Sequence, residues 1–174
     1  MKQLQPTESK RFHRNWKRTH PGKTSIILVL QSVSYPANVG AFFRIADAAG
    51  VDRLILTSAT PAPPLATITK IGRDKHKVVN WEYVQNTVDA LEQIKQDGYS
   101  IYALEITDEA QPYHETPYPE KTCIVVGNED HGISKEVLRL CDLSVFLPMY
   151  GKGLSMNVQV SAAILVYHIL HAGR

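Results

Sequence analysis

The stretch Ser25-Ile26-Ile27-Leu28-Val29-Leu30-Gln31 is apolar at five consecutive positions and rich in branched side chains. A strand with one wet face alternates polar and apolar residues. An unbroken apolar run of this length instead reads as a strand covered on both faces, as in a parallel sheet between helix layers.

Outward from this strand, helical and extended patterns alternate. Residues 39–49 place Phe42, Ile45, Ala46 and Ala49 on one helical face, with Gly50 as the stop signal. Arg53–Thr57 reads as a second strand, the Pro-rich residues 60–65 as a loop, and Ala66–Gly72 as a short helix. Residues 78–83 read as a strand, Thr87–Gln96 as a helix ending at Gly98, and residues 100–106 as another strand. The apolar strand 122–126 runs into the loop GNEDHG. A short helix follows over 134–140, with Ser134 as its N-cap, and then a last strand over 143–147. The final helix, 157–171, has almost no polar face and is expected to be buried on more than one side. There is no internal repeat. The pattern predicts one α/β domain, a mostly parallel sheet flanked by helices, with its ligand site at the carboxyl ends of the strands.

At 174 residues a single domain can bury a substantial core. Neither an apolar leader nor a membrane-length apolar run is present, and Cys123 and Cys141 lack metal-ligand spacing. The expectation is a cytoplasmic protein with reduced thiols and no metal. Charge is uneven. Residues 1–23 carry Lys2, Lys10, Arg11, Arg14, Lys17, Arg18 and Lys23 against Glu8 alone, so the remainder is net acidic although the whole chain is +2. This basic arm also holds His13, Trp16 and His20, a composition suited to neutralising phosphates and stacking on bases; a solvated, disordered tail is the equally open alternative. A second basic patch comprises Lys70, Arg73, Lys75, His76 and Lys77.

Three loops carry chemical signals. In the first, NVGAFFR (38–44), Arg44 shares a helical face with Gly40, Ala41, Asp47 and Ala48. Small neighbours admit a bulky partner, and a guanidinium suits a phosphate; an i, i+3 ion pair with Asp47 is the competing reading. In the second, Gly127 to Gly132, glycines permit close backbone approach. Glu129 and Asp130 there disfavour a phosphate cradle and favour hydroxyl or amino ligands. No phosphate-loop or dinucleotide fingerprint is present, which argues against an unrelated nucleotide enzyme. The third loop, residues 147–157, leads into the final helix, which Ser155 or Asn157 can cap.

Taken in order, NVGAFFR, VVGNEDHGIS and LPMYGKGLSMN resemble the three signature motifs of the SpoU/TrmH branch of the SPOUT methyltransferases. The resemblance spans residues 25–171. It implies a deep C-terminal trefoil knot, a homodimer and S-adenosylmethionine as cofactor. It further implies an RNA ribose 2′-hydroxyl as acceptor, in tRNA by preference or in ribosomal RNA. An RNA-binding module that has lost catalysis is the remaining alternative. Matched residue by residue, Asn38, Arg44, Glu129, Ser155 and Asn157 fall at catalytic positions. Leu104, Gly127, Asn128, Gly132, Leu147, Met149, Ser155 and Met156 fall at cofactor positions. Met156 stands where many relatives have leucine, a volume-conserving exchange. RNA contact is expected from Arg11, Arg14, Lys17, Arg18, Arg44, Arg73 and Lys75. The resemblance divides the chain into a basic arm, 1–23, and a methyltransferase domain, 24–174. Within it Arg44 is expected to anchor phosphate and stabilise negative charge, Asn38 to orient Arg44, and Glu129 to fix its loop.

Overall fold

A computed structural model describes residues 1–22 and 24–172; Lys23, counted above in the basic arm, lies outside the described residues. The strands are β1 (Ser25–Gln31), β2 (Arg53–Thr57), β3 (Trp81–Val84), β4 (Ser100–Leu104), β5 (Gln111–Pro112), β6 (Lys121–Val126) and β7 (Leu143–Phe146). The helices are α1 (Pro6–Thr19), α2 (Pro36–Ala49), α3 (Ala66–Gly72), α4 (Thr87–Gln96), α5 (Lys135–Leu138) and α6 (Val158–Ala172). One seven-stranded sheet runs β3-β2-β1-β6-β4-β7-β5, with every pairing parallel.

β1 does what its apolar run predicts. Ile26, Leu28 and Leu30 pack on one face with Phe42, Phe43 and Ala46 of α2, Ile68 of α3, and Ala162, Leu165, Val166 and Ile169 of α6. Ile27 and Val29 pack on the other face with Ala90, Leu91 and Ile94 of α4 and Val137 of α5. The chain leaves β1 toward β2 on one side while β6 lies on its other side, so strand order reverses between β1 and β6. Ligands in open parallel sheets bind outside the carboxyl ends at such a reversal.

Several boundaries move, each for a local reason. α2 begins at Pro36, whose fixed φ and missing N–H suit the first helical position. Gly50 closes it in the left-handed conformation, φ 69°. The strand expected over 78–83 starts only at Trp81, because Lys75–Lys77 form a 3-10 turn and leave Val78 exposed. β4 stops at Leu104. β5 has only two residues, too short to leave a periodic signal. Residues 6–19 are not an irregular tail: α1 opens with a capping box between Gln5 and Glu8, the latter accepting the Gln5 N–H at 2.8 Å. None of its residues is buried.

The final helix is only partly covered by its own chain. It is buried on one side within the chain, and Val160, Ile164 and Tyr167 form an exposed stripe at i, i+4, i+7. Gly40 lies one helical turn before Arg44 on α2. It is buried, and packs backbone to backbone on Gly72 of α3. A Cβ at Gly40 would lie 2.9 Å from Ile71 Cβ and 3.0 Å from the Ile68 carbonyl oxygen. Gly40→Ala must therefore push α2 and α3 apart, and urea unfolding should register a loss of about 1–3 kcal/mol, the range for overpacking a tight core.

Candidate active site at the carboxyl ends of β1, β4 and β6

A cavity of about 1030 Å³ opens at the carboxyl ends of β6, β4 and β7, next to the point where the sheet order reverses. Leu104, Gly127, Asn128, Gly132, Leu147, Met149, Ser155 and Met156 all line it, so the residues assigned to a cofactor by resemblance converge on one space. Asn38, Glu129 and Asn157 line it as well.

The loop after β6 is folded tightly on itself. Asn128 and Gly132 exchange two backbone hydrogen bonds, at 3.1 and 2.9 Å. A Cβ at Gly127 would lie 2.3 Å from the Gly132 carbonyl carbon, so only glycine fits. Gly132 has φ 66° and faces Glu105, where a Cβ would meet Oε2 at 2.4 Å. The Asn128 side chain is absorbed in bracing. Its Nδ2 donates to the Ser32 carbonyl at 2.8 Å, and its Oδ1 accepts the N–H groups of Asp130 and His131.

Two further braces were not foreseen. Glu105, immediately after β4, accepts the Ile133 N–H on Oε2 at 3.0 Å and the Ile106 N–H on Oε1 at 2.9 Å. Gln31 and Ser134 exchange hydrogen bonds, Nε2 to Oγ at 2.8 Å and N–H to Oε1 at 3.1 Å. A carboxylate directly after the last residue of a buried strand was the available signal for Glu105. Nothing local marks Gln31, whose partner lies 103 residues away.

The three motifs meet in one hydrogen-bonded chain. Glu129 Oε2 accepts the Ser34 N–H at 2.8 Å, and Oε1 accepts Asn38 Nδ2 at 2.6 Å and the Tyr35 N–H at 3.4 Å. Asn157 Nδ2 in turn donates to Asn38 Oδ1 at 3.2 Å, while Asn157 Oδ1 caps α6 by accepting the Gln159 N–H at 3.1 Å. Burial works against the charge on Glu129, but the donors from Ser34, Asn38 and Tyr35 outweigh it and hold the carboxyl below its ordinary range. Ser155 is exposed at the cavity and has no hydrogen bond among the described residues.

Arg44 stands apart from this group. It lines a second cavity of about 440 Å³ with Arg73 and Lys75, bounded by Gln159 and Tyr167 of α6. Asp47 pairs with Lys75 at 2.7 Å instead of with Arg44, and Arg44 has no ion pair or hydrogen bond among the described residues. Asn38 accordingly contacts Glu129 and Asn157, not Arg44. Arg11, Arg14, Lys17 and Arg18 lie with Lys10 on α1, where helical spacing gathers the five cations within an arc of roughly 120°. Trp16 and His20 stack at 3.7 Å between ring centroids. Both cysteines are free; burial pushes the Cys123 thiol far up and that of Cys141 up to about 12.

The chain resembles known proteins over nearly its whole length. Residues 25–167 match the SpoU rRNA Methylase family. A Bacillus subtilis protein named 23S rRNA (guanosine(2553)-2′-O)-methyltransferase is 34% identical over 82% of this chain, which spans 57% of that relative. The tRNA (guanosine(18)-2′-O)-methyltransferase of Escherichia coli is 30% identical over 94% of this chain and 69% of its own length. Among solved structures, the A. aeolicus TrmH/SpoU tRNA modifying enzyme superposes with a TM-score of 0.78 at 30% identity, covering 94% of this chain and 83% of that one. With all three motif loops joined at one cavity and this extent of similarity, the chain belongs to the SpoU rRNA Methylase family.

Proposed function

We propose that this protein transfers a methyl group from S-adenosylmethionine to a ribose 2′-hydroxyl of RNA, in tRNA by preference. The observation that carries the reading is the chain Glu129–Asn38–Asn157, which ties the three motif loops together at the mouth of the large cavity. Similarity to the Escherichia coli and A. aeolicus tRNA enzymes over 94% of the chain supports tRNA. The 34% identity to the Bacillus subtilis ribosomal RNA enzyme supports the second reading, a ribosomal substrate.

The cavity suits the cofactor in size and lining. Its volume exceeds that of a typical drug-sized site, and Gly127 lets the loop that walls it close backbone to backbone against Gly132. Leu104, Gly127, Gly132, Leu147, Met149, Ser155 and Met156 would hold it, with Asn128 and Glu105 bracing the loop. When bound it supplies an electrophilic methyl group on a sulfonium. Likeness to the SpoU family over residues 25–167 and to the A. aeolicus TrmH/SpoU structure supports a deep trefoil knot in the C-terminal segment.

Arg44 is not the base. A guanidinium has a pKa above 12, so deprotonating it at neutral pH costs roughly 7 kcal/mol or more. Its role is to anchor an RNA phosphate and stabilise the developing alkoxide, with Arg73 and Lys75 extending the phosphate surface. Because Arg44 faces a different cavity from Glu129 and Asn157, it serves the active site of a second subunit. The stripe Val160, Ile164 and Tyr167 beside it is the dimer interface. Residues 1–23 form a basic RNA-binding arm on the domain 24–174, with the cation face of α1 toward phosphates. The protein works in the cytoplasm, a placement supported by its free thiols. No helix among the described residues is long and apolar enough to cross a membrane.

Labelled S-adenosylmethionine with total RNA as acceptor tests the reaction directly. Label is expected in 2′-O-methyl nucleosides, with tRNA separated from ribosomal RNA on gels. Arg44→Ala and Arg44→Lys should each lower kcat by about 10²- to 10³-fold at unchanged cofactor affinity; a lysine variant with full turnover contradicts the role given to Arg44. Sedimentation should show a dimer that Ile164→Asp dissociates. Mixing inactive Arg44→Ala with inactive Asn157→Ala should restore partial activity, because one mixed site is then intact. Folding lowers the Glu129 pKa, so its contribution to stability is present above the unfolded value of about 4.3 and is lost as pH falls through the folded value. Acid unfolding of Glu129→Gln should therefore show a shallower decline below about pH 4 than wild type.

A further inference from the structure

Tyr35 stands at the rim of the large cavity beside Asn38 and Glu129, with 53% of its surface exposed. Its main chain is held firmly. The N–H donates to Glu129 at 3.4 Å, and the carbonyl accepts the N–H groups of Asn38 at 2.9 Å and Val39 at 3.2 Å. Pro36 follows and confines Tyr35 to extended backbone, φ −86° and ψ 115°. The side chain, by contrast, has no hydrogen bond or ring contact among the described residues. The ring is thus carried on a fixed main chain and left uncovered beside the residues that join the three motifs.

Methylation at a ribose requires that sugar to enter the cavity mouth, which draws its nucleotide out of the surrounding stack. The base then loses its neighbours, and single-stranded RNA recognition commonly replaces them with an aromatic face. We propose that Tyr35 is the stacking platform for the base of the nucleotide whose ribose is methylated. This rests on the methyltransferase reading above and adds to it the residue that receives the extruded base. Stacking on a phenol ring is tolerant of base identity, so Tyr35 contributes RNA affinity and positioning without selecting one base.

Initial rates of methyl transfer to deproteinised total RNA, together with S-adenosylmethionine binding by calorimetry, test the assignment. Tyr35→Ala should raise the RNA concentration for half-maximal transfer by roughly 5- to 100-fold, the range for losing one base stack, and leave cofactor affinity unchanged. Tyr35→Phe and Tyr35→Trp keep a π face and should restore wild-type behaviour. Tyr35→Leu keeps apolar bulk alone and should resemble the alanine variant, which also covers the case of an alanine variant that folds poorly. Wild-type RNA dependence in the alanine and leucine variants overturns the proposal. So does failure of Phe to restore it, which would assign the effect to the hydroxyl, and so does a matching loss of cofactor affinity. Absence of transfer by the wild-type protein to any RNA would instead overturn the methyltransferase reading itself.

Discussion

Glu129 carries a negative charge into a half-buried loop, where it is met by the amide of Asn38 and the main-chain N–H groups of Ser34 and Tyr35. An unpaired carboxylate in such a place would be strongly unfavourable, so the loop after β6 and the turn before α2 are each the other's electrostatic partner. Because Asn38 then offers its oxygen to Asn157, the start of α6 is drawn into the same arrangement. Three segments, the first of them 91 and 119 residues away from its two partners, are in this way held in one geometry by a single carboxylate and two amides.

The loop that presents Glu129 depends on a separate constraint, absence of side chain. Gly127 and Gly132 touch backbone to backbone, and Glu105 reaches from β4 to accept the Ile133 N–H across the space a side chain on Gly132 would fill. Gln31 and Ser134 close the opposite edge. The loop is consequently braced from β1, β4 and α5 before any ligand binds, which places binding groups without an ordering cost at the moment of binding.

Much of this was legible in the chain. The apolar run of β1 follows from the need to cover both faces of a central parallel strand, and the structure distributes its residues to two cores as that reading requires. The motif loops were legible because glycines, a carboxylate and amides recur there in an order that resembles one family. The segments that escaped notice lack such a signal. β5 is two residues of edge pairing, and α1 is stabilised by its own caps and charges, with no buried face to generate an apolar period.

The sequence by itself determined which residues are apolar at what spacing, and hence the class of fold. It also determined which polar residues stand ready at the strand ends, since periodicity and motif order are local properties of the chain. Tertiary structure alone decided their company. It set Gly40 against Gly72, gave Asp47 to Lys75, and joined Asn38 to Glu129 and Asn157 while turning Arg44 toward α6. These are contacts between segments distant in sequence. Their selection depends on how helices cross and which donors face each other after the sheet has formed, and no local pattern encodes that.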